Sequence, residues 1–315
     1  MGKYTVTNGQ NIFDIALHLY GSIEGVVDLL MNNTTLSLCD KLKTGDELIY
    51  TDNYIINQDT AAYLKSYKIT PANGEQNIYY KASDKPKIFE IYVENKKTSA
   101  GFLISGTGSI HVDWGDNSDI QFIDLSETYE HITHIFDNLV EKPRRITIYG
   151  EESLQIKKID FSKLSSSRIY VLRPIYIERF VLNNNSIPVD FISLVNGIFD
   201  IDLSFSSTGD LTPLLRCKQL MRLNLSGMNI KQSVIDNYLI GLVNYYYERR
   251  NCSIKLTTCP SGKYQEPEKD VDLNYIITSG MEAIWILTHE PSWNESGAWV
   301  FTINDDIYTF EKENK

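Results

Sequence analysis

The chain has 315 residues, 42% of them hydrophobic, and a formal net charge of −11. That length and apolar content suffice for two or three packed domains and exclude a globally disordered polymer. A diffuse negative field repels phosphate backbones and anionic lipid, and no apolar run reaches about eighteen residues, so neither nucleic acid nor membrane insertion is expected.

Cys39, Cys217, Cys252 and Cys259 match no metal-binding spacing and are read as reduced thiols. The opening MGKYTVTNGQ has no charged region followed by an apolar run, so no secretory address is expected.

Along the chain, Tyr4-Thr5-Val6-Thr7 predicts a strand. Asn11 is placed to cap a helix, with Asp14 in its first turn and Ile12, Ile15, Ala16 and Leu19 on one face. Gly21 supplies a left-handed stop. Ser22 caps a second helix whose buried face is expected to be Ile23, Val26, Val27 and Leu30, with Asn32 and Asn33 at its end. Thr44-Gly45-Asp46 turns the chain into a strand from Glu47 to Tyr50. The order is strand, helix, helix, strand.

The segments YTVTNGQNIFDIALHLYG and LKTGDELIY resemble a LysM domain. That resemblance implies a groove for N-acetylglucosamine polymers between two loops. Asn8, Gly9, Asn11 and Ile12 lie on one, and Met31, Asn32, Asn33 and Thr34 on the other. LYGSIEGVVDLLMNN is further similar to the tail protein X family of contractile-tailed phages, which implies a docking piece inside a tail or baseplate.

Residues 53–87 read as a linker with a short helical pattern, broken at Pro71 and Gly74. Strands are then expected at 88–93, 101–105, 109–114 and 145–149. Between them, SIHVDWGDNSDI ends a strand in Asp113-Trp114-Gly115-Asp116-Asn117. Gly115 and Asn117 suit positive φ, both aspartates can accept backbone N–H groups, and Trp114 is a core anchor. This turn resembles that of PKD domains, with Asn117 where the family has glycine, and implies an immunoglobulin-like β-sandwich used as a spacer or binding module. His131 and His134 are read as structural, and the pairs Arg144–Arg145 and Arg249–Arg250 as solvated surface.

Residues 156–230 carry a repeat. Ile156-x-x-Ile159-x-Phe161, Ile177-x-x-Phe180-x-Leu182, Ile198-x-x-Ile201-x-Leu203 and Leu220-x-x-Leu223-x-Leu225 start 21, 21 and 22 residues apart. The pattern resembles the degenerate leucine-rich repeats of bacterial surface proteins, one strand per coil. An ordinary parallel sheet is the alternative. An amphipathic helix over 233–250, a strand over 253–257, a helix over 276–287 and two closing strands follow as a cap. Trp285, Trp293 and Trp299 are expected to seal that cap, with a sugar-stacking platform as the alternative.

The chain contains no GxSxG, HExxH or phosphate-loop motif, so no catalytic residue, metal or cofactor is expected. The fold class expected is multidomain α+β. It comprises a LysM-like βααβ domain (1–52), the linker (53–87), a PKD-like β-sandwich (88–150), and a leucine-rich-repeat-like solenoid with an α/β cap (151–315). The functional expectation is a non-enzymatic structural protein of a phage or prophage tail or baseplate. It would be assembled in the bacterial host cytoplasm, oligomeric in the virion, and partnered by other tail proteins. The alternative is a peptidoglycan- or glycan-binding adhesin at the bacterial cell surface.

Overall fold

The computed structural model describes residues 1–7, 9–72, 80–136, 143–186, 188–245 and 249–310. It is a mixed α+β structure of few helices and several sheets, with most of its regular structure in strands.

The N-terminal unit pairs β1 (Gly2–Thr5) antiparallel with β2 (Glu47–Tyr50), Gly2 opposite Tyr50. Between them lie α1 (Ile12–Tyr20), a 3-10 turn (Ile23–Gly25) and α2 (Val26–Asn32). Asn11 caps α1 in a reciprocal box with Asp14, and Gly21 ends it at φ +70°. Any Cβ on Gly21 would stand 2.1 Å from the carbonyl oxygen of Asn57, because the chain returns there to start α3 (Gln58–Ser66). Ile56 and Asn57 both donate their N–H groups to Tyr20 O. The expected linker thus opens with a helix packed on α1.

The core of this unit holds Ile12, Ile15, Ala16, Tyr20, Val26, Leu29 and Leu48. The buried face of α2 differs from the sequence expectation. Ile23 is 58% exposed and Val27 62%, while Val26 and Leu29 turn inward. The 3-10 turn advances 120° per residue rather than 100°, so the apolar phase read for one continuous helix does not carry through it. Gly25 lies directly beneath the Tyr20 ring, which sets the new phase.

The remaining strands are β3 (Lys87–Val93), β4 (Ser99–Thr107), β5 (Ser109–Asp113), β6 (Gln121–Asp124), β7 (Glu130–Ile135), β8 (Arg144–Gly150), β9 (Gln155–Asp160), β10 (Ser166–Val171), β11 (Ile175–Val181), β12 (Val195–Asn196), β13 (Asp200–Asp202) and β14 (Arg222–Leu225). Then come α4 (Gln232–Asn244), β15 (Ser253–Leu256), α5 (Gly280–His289), β16 (Val300–Ile303) and β17 (Asp306–Thr309). One sheet has the order β10-β3-β8-β5-β6. The other runs β17-β16-β15-β14-β13-β11-β9-β4-β7, with β12 paired to β11.

The two sheets share one hydrophobic core. Phe161 lies 5.4 Å from Phe89 of the first sheet, 5.7 Å from Phe102 and 5.9 Å from Phe180 of the second, each edge to face. Strand pairing crosses residue 150, the boundary expected from the sequence: β4 pairs antiparallel with β9, and β10 with β3.

From β9 to β16 the second sheet is parallel. Ile159, Phe180, Ile201, Leu223, Ile254 and Phe301 stand side by side in one buried row. After three of these strands an Asx turn repeats: Asp160, Asp202 and Asn224 accept the N–H groups of Ser162, Ser204 and Ser226 at 2.8, 2.9 and 3.1 Å. The helices α4 and α5 pack together, and Ser279 and Glu282 form a capping box on α5. Trp299 is buried and stacked on Phe301, with Trp293 edge-on against it. All four cysteines are free, Cys217 and Cys252 being buried. Among the described residues, no helix is long and apolar enough to cross a membrane.

Candidate functional site

Two regions singled out by the sequence meet across one cleft: the N-terminal loops and the Asp113–Asn117 turn. In the turn, Asp113 accepts from the N–H of Gly115 at 3.0 Å and from that of Lys81 at 3.2 Å. Asp116 Oδ1 accepts from the N–H and hydroxyl of Ser118 at 3.2 and 2.5 Å. Gly115 and Asn117 take φ +69° and +68°, the left-handed geometry their residue types tolerate. Trp114 is buried and donates its indole N–H to Gln121 at 2.8 Å.

The free oxygen of Asp116 lies 2.6 Å from His134 Nε2. The imidazole is stacked on Trp114, 4.9 Å between centroids and 7° from parallel. Burial alone would push the Asp116 carboxyl up, but hydrogen bonds from His134 and Ser118 outweigh it and hold it at about 2. For Asp113 burial wins, and its carboxyl is raised above the ordinary 3.8. Each carboxylate has both oxygens engaged, an arrangement that locks a turn. Asp116 is 18 residues from His134 and on another element, so this pairing was not legible in the sequence.

Arg144 corrects the reading of a solvated pair. It is 2% exposed, donates to Gly115 O at 2.8 Å, and lies 4.0 Å over the Phe136 ring. Burial lowers its pKa. Arg145 stacks 3.6 Å over Tyr80, and Arg249 donates to the carbonyls of Cys217 and Leu215.

The candidate glycan residues divide. Asn8 lies outside the described residues. Ile12 is core, so the structure removes it from any sugar-contacting surface. Asn11 accepts from the N–H groups of Phe13 and Asp14, both at 2.9 Å. Asn32 donates to Asp28 O at 2.9 Å and Thr51 Oγ1 at 3.3 Å. Asn33 donates to Leu29 O and Ile49 O, both at 2.8 Å, and accepts from Ile49 N–H at 2.9 Å, tying α2 to β2. The amides expected to read a sugar are therefore engaged with their own backbone. Met31 and Thr34 are exposed.

Two residues missed in the sequence organise this unit. Gln10 is buried, accepts from Tyr4 OH and Thr7 N–H, and donates to Pro71 O at 3.1 Å, so the chain after α3 lies against the first loop. Asp28 accepts from Tyr20 OH, Thr51 N–H and Thr51 Oγ1 at 2.6, 2.9 and 2.6 Å. Neither is legible from local pattern, because Gln10 reaches Pro71 and Asp28 reaches Thr51, partners supplied by distant parts of the chain.

Gly9 and Asn11 line a cleft of about 650 Å³ with residues 40–44. Its other wall is Lys81 and residues 116–119. Met31, Asn32, Asn33 and Thr34 are not part of that lining. Lys81 and Asp119 form an ion pair of 2.6 Å there. Amides, hydroxyls and charges of both signs suit a strongly polar ligand.

The chain matches no known family model, no curated protein and no solved structure.

Proposed function

We propose that this chain is a non-enzymatic structural component of a phage or prophage tail or baseplate, in which the N-terminal LysM-like unit is the docking piece. The carrying observation is the division of labour on α2. Asn32 and Asn33 are tied to the unit's own backbone, whereas Val27 and Met31, one turn apart on α2, are exposed, as is Ile23 in the 3-10 turn before it. Met31 is 74% exposed. Apolar side chains presented this way favour contact with protein over contact with sugar hydroxyls. The repeated rows of β9 to β16, read as leucine-rich-repeat coils, and the PKD-like turn then form the part that faces neighbours or the host.

The second reading, a peptidoglycan- or glycan-binding adhesin, draws on the polar cleft between Asn11 and the Asp116–Asp119 segment. Co-sedimentation of the intact protein with insoluble peptidoglycan separates the two. The tail reading expects the protein to stay in the supernatant, and expects deletion of its coding sequence from the phage or prophage that carries it to yield incomplete tails. Saturable pelleting together with intact tails would favour the adhesin.

A further inference from the structure

The C-terminal cap holds a second cleft, of about 540 Å³, built from α5, β17 and the loop carrying Tyr264. That volume lies within the roughly 300–1,000 Å³ of small-ligand sites. Its walls are aromatic: the Tyr264 and Tyr308 rings stand 4.6 Å apart at 59°, and Tyr264 and His289 5.5 Å apart at 59°. Trp285 stacks on the outer turn of α5 against His289, 4.4 Å between centroids and 10° from parallel, and fixes the imidazole plane.

Hydrogen bonding then orders the protons. The Thr288 hydroxyl donates to Ile284 O at 2.8 Å, so its oxygen accepts from Tyr264 OH, also at 2.8 Å. A backbone carbonyl can only accept, so His289 Nδ1 carries the proton in its 3.0 Å contact with Trp285 O. In the neutral ring, Nε2 is thereby left as an acceptor, on a side chain that is itself exposed. Ile307, 67% exposed, adds an aliphatic surface, and Thr309 a hydroxyl. No lysine, arginine, aspartate or glutamate is among the described lining residues, so those walls offer phosphates and carboxylates no counter-charge.

We propose that this cleft binds one or two rings of a neutral saccharide. The axial C–H face of a sugar packs on Tyr308, and a ring hydroxyl donates to His289 Nε2. Aromatic surface with fixed polar acceptors is the chemistry a polyhydroxylated ring requires. The site is distinct from the N-terminal cleft, and the inference stands whether or not the docking reading holds.

The test is saturation-transfer NMR on the intact protein with cellobiose, lactose, maltose and chitobiose, each to about 20 mM, the range of weak single-ring recognition. At least one disaccharide is expected to bind saturably. Tyr308→Ala and His289→Ala should each weaken it at least about tenfold with an unchanged circular-dichroism melt. His289→Gln, which alters an exposed side chain, supplies the readout if Tyr308→Ala is poorly folded. Saturation by none of the four, or binding unchanged in the His289 variants, overturns the proposal. A response lost on Asn11→Ala but kept in Tyr308→Ala places the sugar in the N-terminal cleft and overturns it equally.

Discussion

His134 Nε2 lies 2.6 Å from Asp116 Oδ2, and its ring is parallel to Trp114 below it. A buried turn is thereby tied to β7 on the edge of the other sheet. Hydrogen bonds to a charged group contribute about 1.5–3 kcal/mol each, and a buried partner left alone costs more. Asp116→Ala and His134→Ala are each expected to lower unfolding free energy by about 2–4 kcal/mol in urea titration. The double variant should cost less than the sum, since both remove one interaction.

The same pair sets an acid limit. Asp116 titrates at about 2 in the folded chain against an ordinary 3.8. A depressed carboxyl stabilises the fold above its unfolded pKa, and the contribution, on the order of 2 kcal/mol, is lost as pH falls from about 4 to 2. Asp113, raised by burial, works in the opposite sense and offsets part of the loss. Asp116→Asn should flatten the decline in melting temperature across that window; an unchanged slope would assign acid sensitivity elsewhere.

Gly115 and Asn117 share the left-handed region but differ in space. A Cβ on Gly115 would lie 2.2 Å from Arg145 O, so Gly115→Ala should cost about 2–3 kcal/mol. Asn117→Gly relieves φ +68° at a position that already tolerates a side chain, and should change stability by less than about 1 kcal/mol. Paired thermal melts check the contrast.

Phe161 joins both sheets, and Phe161→Ala is expected to cost about 3–5 kcal/mol. Because the core is shared, calorimetry should show the strands from β3 to β17 unfolding in one transition. Two resolved transitions divided near residue 150 would contradict that.

Thiol titration should separate the cysteines. Burial pushes Cys217 up to about 11 and raises Cys252 as well, while Cys39 and Cys259 are exposed. Ellman's reagent should modify two thiols quickly in the native protein and four after denaturation.

Val27→Lys tests the docking surface. The side chain is solvent-facing, so stability should change by less than about 0.5 kcal/mol, while incorporation into tail particles should fall sharply. Normal incorporation would remove that surface from the interface.

Local rules carried the reading where the interaction is local. Asn11 with Asp14 spans one helical turn, and the Asp113 to Asn117 turn closes on itself, so residue type alone specified each. The repeat that spaces Ile159, Phe180, Ile201 and Leu223 by 21, 21 and 22 residues likewise encoded neighbouring parallel strands, because each contributes one residue to the same buried row. Tertiary structure decided what depends on distant partners. It turned α2 about the Gly25–Tyr20 contact, engaged Asn33 with Ile49, buried Arg144 under the turn, and set His134 against Asp116. It also joined β4 to β9 across the expected domain boundary. Strand edges and buried charges are satisfied by whichever element the fold brings beside them, and a linear pattern carries the periodicity of one element at a time.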